Sequence, residues 1–265
     1  MTEKIRSKPI YYSFILTLLL MVLYAAFAFI VQGLFQQLSY LKLLVGSMAN
    51  IVVTILAVLL LGTINHTNGF KLLFKTKGLA KGLYVLIPVV PFILLGVFVN
   101  ATGRTSTGME NFWAIPLVGF LAMTSAFMQT ALFRGLLATA LLVKFSSTEK
   151  ERVKSVFKAS AMFFIIYIMF HVLSGDTVGL VQLVNTFIIG AGFCAAYLYS
   201  KNLLCLALFR GAWQMLDSVV DLFVIEGYRQ ISPLLLFIWT VILVSVVVFT
   251  IRYSKRAEPF SCSAK

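Results

Sequence analysis

Five ionisable side chains fall inside long apolar runs of this sequence: Arg134, His171, Arg210, Asp217 and Asp221. An ionisable group at the middle of a bilayer costs on the order of 3 kcal/mol or more unless paired or hydrated, so each marks a candidate site. Their spacing groups them. Arg210, Gln214, Asp217 and Asp221 fall at i, i+4, i+7 and i+11, a single stripe down one helix face. Thr130 and Arg134 stand one i+4 step apart, with Gln129 beside them, and Tyr167 and His171 repeat that step farther along. Gln182, Asn185 and Thr186 make a polar patch on a fourth segment. An imidazole close to a carboxylate can activate a water as general base. Guanidinium and amide donors can steady an oxyanion. The competing reading is structural, with Arg134 and Arg210 neutralised by Asp217 and Asp221 in a charge network that fixes helix packing. A metal held by one aspartate and His171 would have too few ligands, so no metal or other cofactor is expected.

The segments carrying these residues must be membrane helices. Of 265 residues, 60% are hydrophobic and only 12% charged, against about 25% charged in an ordinary soluble domain. Apolar runs of ~18 residues or more recur along the chain, long enough to span the hydrocarbon core. They do not alternate as barrel strands would. The expected fold is therefore all-α and polytopic, with about eight spans near residues 10–35, 41–62, 83–101, 112–145, 155–174, 177–199, 203–225 and 233–253. The run at 112–145 is long enough to be two helices broken near Pro116, and Pro88 with Pro91 should bend the third span. Residues 70–74, flanked by lysines, suggest a short helix lying in the membrane interface.

The net charge of +13 has a matching explanation. With the N-terminus in the cytoplasm, seventeen of the twenty-two basic residues fall on the cytoplasmic side and three on the other. Arg134 and Arg210 are the remaining two. That bias places both termini in the cytoplasm with an even number of spans, and it removes nucleic acid as the reason for the charge. The bilayer and a membrane protein are the expected partners. Three cysteines with no CxxC pair indicate neither a disulfide framework nor a zinc site. One integral membrane domain, 1–265, is expected to divide into N-terminal helices (1–111), a polar core (112–224) and a last helix with a basic tail (225–265).

The order and spacing of the polar residues resemble the CPBP family, the CAAX-protease and bacteriocin-processing membrane proteins also called Abi proteins. That family shows Glu-Glu-x-x-x-Arg on one helix, Phe-x-x-x-His on the next, and a later His-x-x-x-Asn. Here the first element reads Gln129-Thr130-Ala131-Leu132-Phe133-Arg134, the second Tyr167-Ile168-Met169-Phe170-His171, and the third Arg210-Gly211-Ala212-Trp213-Gln214. The likeness covers about residues 112–224. It implies an intramembrane endopeptidase core, in which glutamate and histidine activate water while the later pair steadies the oxyanion. Both glutamates are missing. Gln129 and Thr130 do not titrate near neutral pH and cannot serve as general base.

Three functions remain open. The first is a catalytically degenerate member that binds a membrane partner, as in bacteriocin self-immunity or regulation of a cell-envelope or signalling protein in a bacterial cell membrane. The second is an active endopeptidase using His171 with Asp217 or Asp221. The third is a small transporter, which should show an inverted repeat of broken helices that the sequence lacks.

Overall fold

The computed structural model describes residues 8–34, 39–65, 68–101, 114–174, 179–222 and 233–260. In chain order the elements are α1 (Pro9–Leu34), α2 (Ser39–Asn65), α3 (Gly69–Leu73), α4 (Leu79–Leu86) and α5 (Val89–Ala101). Then follow α6 (Ile115–Gln129), a π-helical segment (Thr130–Ala138), α7 (Thr139–Lys144), α8 (Glu149–Ser174), α9 (Leu180–Ser200), α10 (Leu203–Leu222) and α11 (Pro233–Arg256). No strand occurs among the described residues. The fold is all-α and polytopic, as the composition requires.

Five helical stretches are long and apolar enough to cross a membrane: Pro9–Val31, Tyr40–Ile64, Ile115–Lys144, Leu180–Ser200 and Pro233–Arg256. The pair α4–α5 makes a sixth if counted as one span, bent by 61°. The bend sits where Pro88 and Pro91 cannot donate to the helical ladder. Helices α8 and α10 have spanning length, 26 and 20 residues. The first begins in charged residues and the second carries the ionisable stripe, which lowers their hydropathy. The expected segments thus recur as helical units, and five or six of them cross by length and composition alone.

One expectation needs correction. The rod Ile115–Lys144 is not broken near Pro116, because that proline stands in the first turn of α6. Its missing N–H costs nothing there.

This rod is the centre of the fold. Within its spanning window 83% of residues are buried, against 17% for α1 and 17% for α11, whose flanks are left to lipid. α6 lies between α2 and α10, while α9 packs against α8 and α11. The short α3 buries Leu73 and exposes Phe70 and Phe74. Asn68 caps its start by accepting from the Lys71 N–H at 3.1 Å.

Polar clamps hold the helix ends together. Asn202 caps α10 by accepting from the Cys205 N–H at 2.7 Å. Its amide donates to the carbonyls of Lys75 at 2.6 Å and Lys77 at 3.1 Å, tying the α3–α4 connection to the α9–α10 turn. Arg152, 8% exposed, donates to the carbonyls of Ser254 (3.2 Å) and Lys255 (3.0 Å) in the last turn of α11. Those carbonyls have no partner within their own helix, and a cation there complements the helix dipole. Thr148 and Glu151 form a capping box at the start of α8: the Glu151 N–H donates to Thr148 Oγ1, and the Thr148 N–H donates to the Glu151 carboxylate. Ser147 Oγ also donates to that carboxylate.

Candidate functional site

The residue types of the first motif meet a change of helix at Thr130. Thr130–Ala138 runs as a nine-residue π-helix, all of it buried. In a π-helix the hydrogen bond closes at i+5, and such segments occur mostly at functional sites. Both Gln129 and Arg134 line a cavity of about 810 Å³, whereas Thr130 is packed away at 2% exposure and does not line it. Of the two motif positions before Arg134, the cavity takes Gln129 and leaves Thr130 out. Thr139 secures the segment, donating to the Arg134 carbonyl at 3.1 Å and sharing a 2.8 Å hydrogen bond with the Tyr197 hydroxyl.

Helix α8 brings Tyr167 and His171 to the same cavity. Their rings pack with centroids 4.4 Å apart, and the Tyr167 hydroxyl accepts from Gln182 Nε2 on α9 at 2.7 Å. Gln182, Asn185 and Thr186 all line the cavity. Asn185 Oδ1 accepts from Trp239 Nε1 of α11 at 2.9 Å, which leaves its amide NH2 as a donor. Close approach of α8 and α9 depends on Gly190. A Cβ there would stand 2.8 Å from Ser160 Oγ and 3.2 Å from Phe163 Cδ1. Ser160 in turn donates to the Phe187 carbonyl at 2.6 Å.

From α10, Arg210 and Asp217 line the cavity. Gln214, between them on the stripe, does not, and its Oε1 is buried without a hydrogen-bond partner. The side chain of Asp221 lies outside the described residues. Nine of the twelve polar residues singled out by motif or spacing therefore converge: Gln129, Arg134, Tyr167, His171, Gln182, Asn185, Thr186, Arg210 and Asp217.

Aromatic rings lie against both guanidiniums. Arg134 is 6% exposed, and its guanidinium lies 4.8 Å from the Phe163 ring centre and 5.2 Å from that of Phe193. Arg210 stacks on Trp213 at 4.4 Å. Asp217 and Arg134 both act electrostatically on Arg210. The guanidiniums rest on aromatic faces, a geometry that favours arginine over lysine.

Several lining residues carried no motif signal. Ser125 stands one turn before Gln129 and accepts from its Nε2 at 3.2 Å. It could have been found as a polar residue at i−4 in an apolar run, as Phe163 could have been at i−4 from Tyr167. Met21, Tyr24, Phe92 and Gly96 come from the N-terminal helices, where no spacing distinguished them.

Chemically, the cavity offers one imidazole, one carboxylate, two guanidiniums and several amide and hydroxyl groups. Its motif glutamate positions hold an amide turned into the cavity and a hydroxyl turned away from it. Among the described residues no three His, Cys, Asp or Glu side chains form a metal-ligating group. Residues 111–216 match the family model of the type II CAAX prenyl endopeptidase Rce1-like proteins. No curated protein and no solved structure matches the chain. The match spans the motif residues gathered around the cavity, and over that stretch the chain is similar to the CAAX-protease-like membrane proteins.

Proposed function

We propose that this protein is a non-cleaving CPBP-family member that binds a membrane-embedded partner in its central cavity. One observation carries the reading. The cavity retains the motif arginine and histidine, while Gln129 occupies the position from which a glutamate would reach a water. Its amide is already donating to Ser125. A glutamine there can position a ligand but cannot remove a proton. Binding of a partner fits roles such as bacteriocin self-immunity or regulation of a cell-envelope or signalling protein. The orientation proposed with it, from the distribution of basic residues, puts both termini on the cytoplasmic side of a bacterial cell membrane.

A second reading is favoured by a specific placement: His171 and Asp217 line the same cavity. In that reading Asp217 replaces the missing glutamate in activating water, and the protein is an intramembrane endopeptidase. The two separate on Gln129→Glu. If the native protein is non-cleaving for want of a base, restoring the carboxylate should raise cleavage of a prenylated CAAX peptide by about 10² or more over native, the usual worth of a general base. Native cleavage equal to that of the variant would sink the non-cleaving reading.

A further inference from the structure

We propose that the cavity is a binding site for a phosphate anion, brought in as a lipid headgroup or entering free. The inference deepens the non-cleaving reading by naming what the chamber holds, and it rests on that reading only in treating the cavity as a place of binding.

The argument begins with unmet hydrogen-bonding capacity. A guanidinium carries five N–H donors and is always charged. That of Arg134 makes no hydrogen bond to any described residue, and its Nε is buried without a partner. Its aromatic neighbours supply cation–π attraction but no acceptor. Arg210 likewise rests on an aromatic face, that of Trp213, in the wall of the same cavity. A buried donor without an acceptor is costly. The Arg134 Nε is such a donor, and it belongs to one of two guanidiniums that line a single cavity.

Charge points the same way. Among the described residues lining the cavity, Arg134 and Arg210 face one carboxylate, Asp217, an excess of one positive charge. Both guanidiniums line the one cavity, and a low-dielectric surrounding strengthens the repulsion between like charges. An anion between the two guanidiniums turns it into attraction. Phosphate suits the planar forks of two arginines, each of which can engage a pair of its oxygens. Around them the Asn185 amide and the Thr186 hydroxyl add neutral donors. Met21, Phe92, Met128 and Ile189 give the wall apolar stretches as well. A headgroup at the arginines and an acyl chain along that wall would fill the volume without burying a charge unpaired.

The test uses detergent-solubilised full-length protein carrying Trp113→Phe and Trp239→Phe, so that Trp213 on the cavity wall reports occupancy by fluorescence. Lysophosphatidic acid should give a saturable change. Lysophosphatidylcholine, whose headgroup has no net charge, should not compete with it. Arg134→Met and Arg210→Met should each weaken binding by about tenfold or more, and Arg134→Lys should keep part of it. A melting curve for each variant checks folding. Saturation by inorganic phosphate as well as by the lipid identifies the free anion as sufficient. Saturation by the lipid alone identifies a headgroup. Either supports the proposal. Equal binding of lysophosphatidylcholine, or affinity unchanged in both arginine variants, overturns it. So does binding of a peptide carboxylate while both phosphate probes fail. A preparation that binds phosphate yet cuts peptide refutes the non-cleaving reading and leaves this one standing, and the converse result refutes this one alone.

Discussion

Replacing Arg134 by methionine should leave the fold almost as stable as before, although Arg134 is among the most buried charged residues of the described chain. Two opposing contributions set the magnitude. The guanidinium gains cation–π attraction from Phe163 at 4.8 Å and Phe193 at 5.2 Å, about 2–4 kcal/mol for two desolvated rings. Against this stands the cost of holding an arginine at membrane depth, about 3 kcal/mol on an insertion scale and more with hydrogen bonds unmade. The difference lies within about 2 kcal/mol of zero. Methionine keeps most of the volume and leaves no buried charge. For a chain of this size ~1 kcal/mol moves the melting temperature by about 2–4 °C. Thermal unfolding in detergent at a fixed scan rate, followed by tryptophan fluorescence, should therefore show Arg134→Met within about 8 °C of native, in either direction. A structural ion-pair role predicts otherwise, because removing one partner of a buried pair costs about 3–5 kcal/mol. A fall well beyond that window would refute the assignment of Arg134 to ligand rather than to fold.

The clamp at the end of α11 predicts the opposite outcome. Arg152→Met removes charge-assisted bonds to the Ser254 and Lys255 carbonyls and should cost about 2–4 kcal/mol, read as a lowered melting temperature and faster proteolysis of the C-terminal tail. At the start of α8, the Ser147 hydroxyl and then the Thr148 N–H hold the Glu151 carboxyl below the usual carboxylate range. A depressed folded-state value means that this contribution is present above the ordinary carboxylate pKa and is lost as pH falls through the folded one. Helix-end protection from hydrogen exchange at Thr148–Arg152 should fall under acid in the native protein, and Glu151→Gln should remove that dependence.

Much of the architecture was legible because long apolar runs and prolines act locally. The helix ends near residues 9, 39 and 233 follow from where hydropathy begins, and the bend at 87–88 follows from proline chemistry. The convergence of Gln129, Arg134, His171 and Arg210 was legible from polar residues at helical spacing, since a polar face in a bilayer must seek another. The π-segment was not. Its cause is tertiary, a fully buried stretch from Thr130 to Ala138 whose Thr139 hydroxyl reaches back to the Arg134 carbonyl and across to Tyr197. An α-helical wheel paired Thr130 with Arg134, whereas the cavity is lined by Gln129 and Arg134. The surroundings of the arginines were equally hidden, because sequence counts charges but does not show that Phe163, Phe193 and Trp213 lie against the guanidiniums. The aspartate stripe itself is only partly described, with Asp217 on the cavity and the Asp221 side chain outside the described residues.

The central claim is that this cavity binds without cutting, and single-turnover proteolysis tests it most directly. Purified protein in excess over a prenylated CAAX peptide, reconstituted in lipid and followed by mass spectrometry over many hours, measures even a slow scission. The account predicts product no faster than in protein-free lipid, and no difference among the native protein, His171→Ala and Asp217→Asn. Cleavage by the native protein that disappears in either variant would contradict it, and would make His171 and Asp217 the catalytic pair of an active protease.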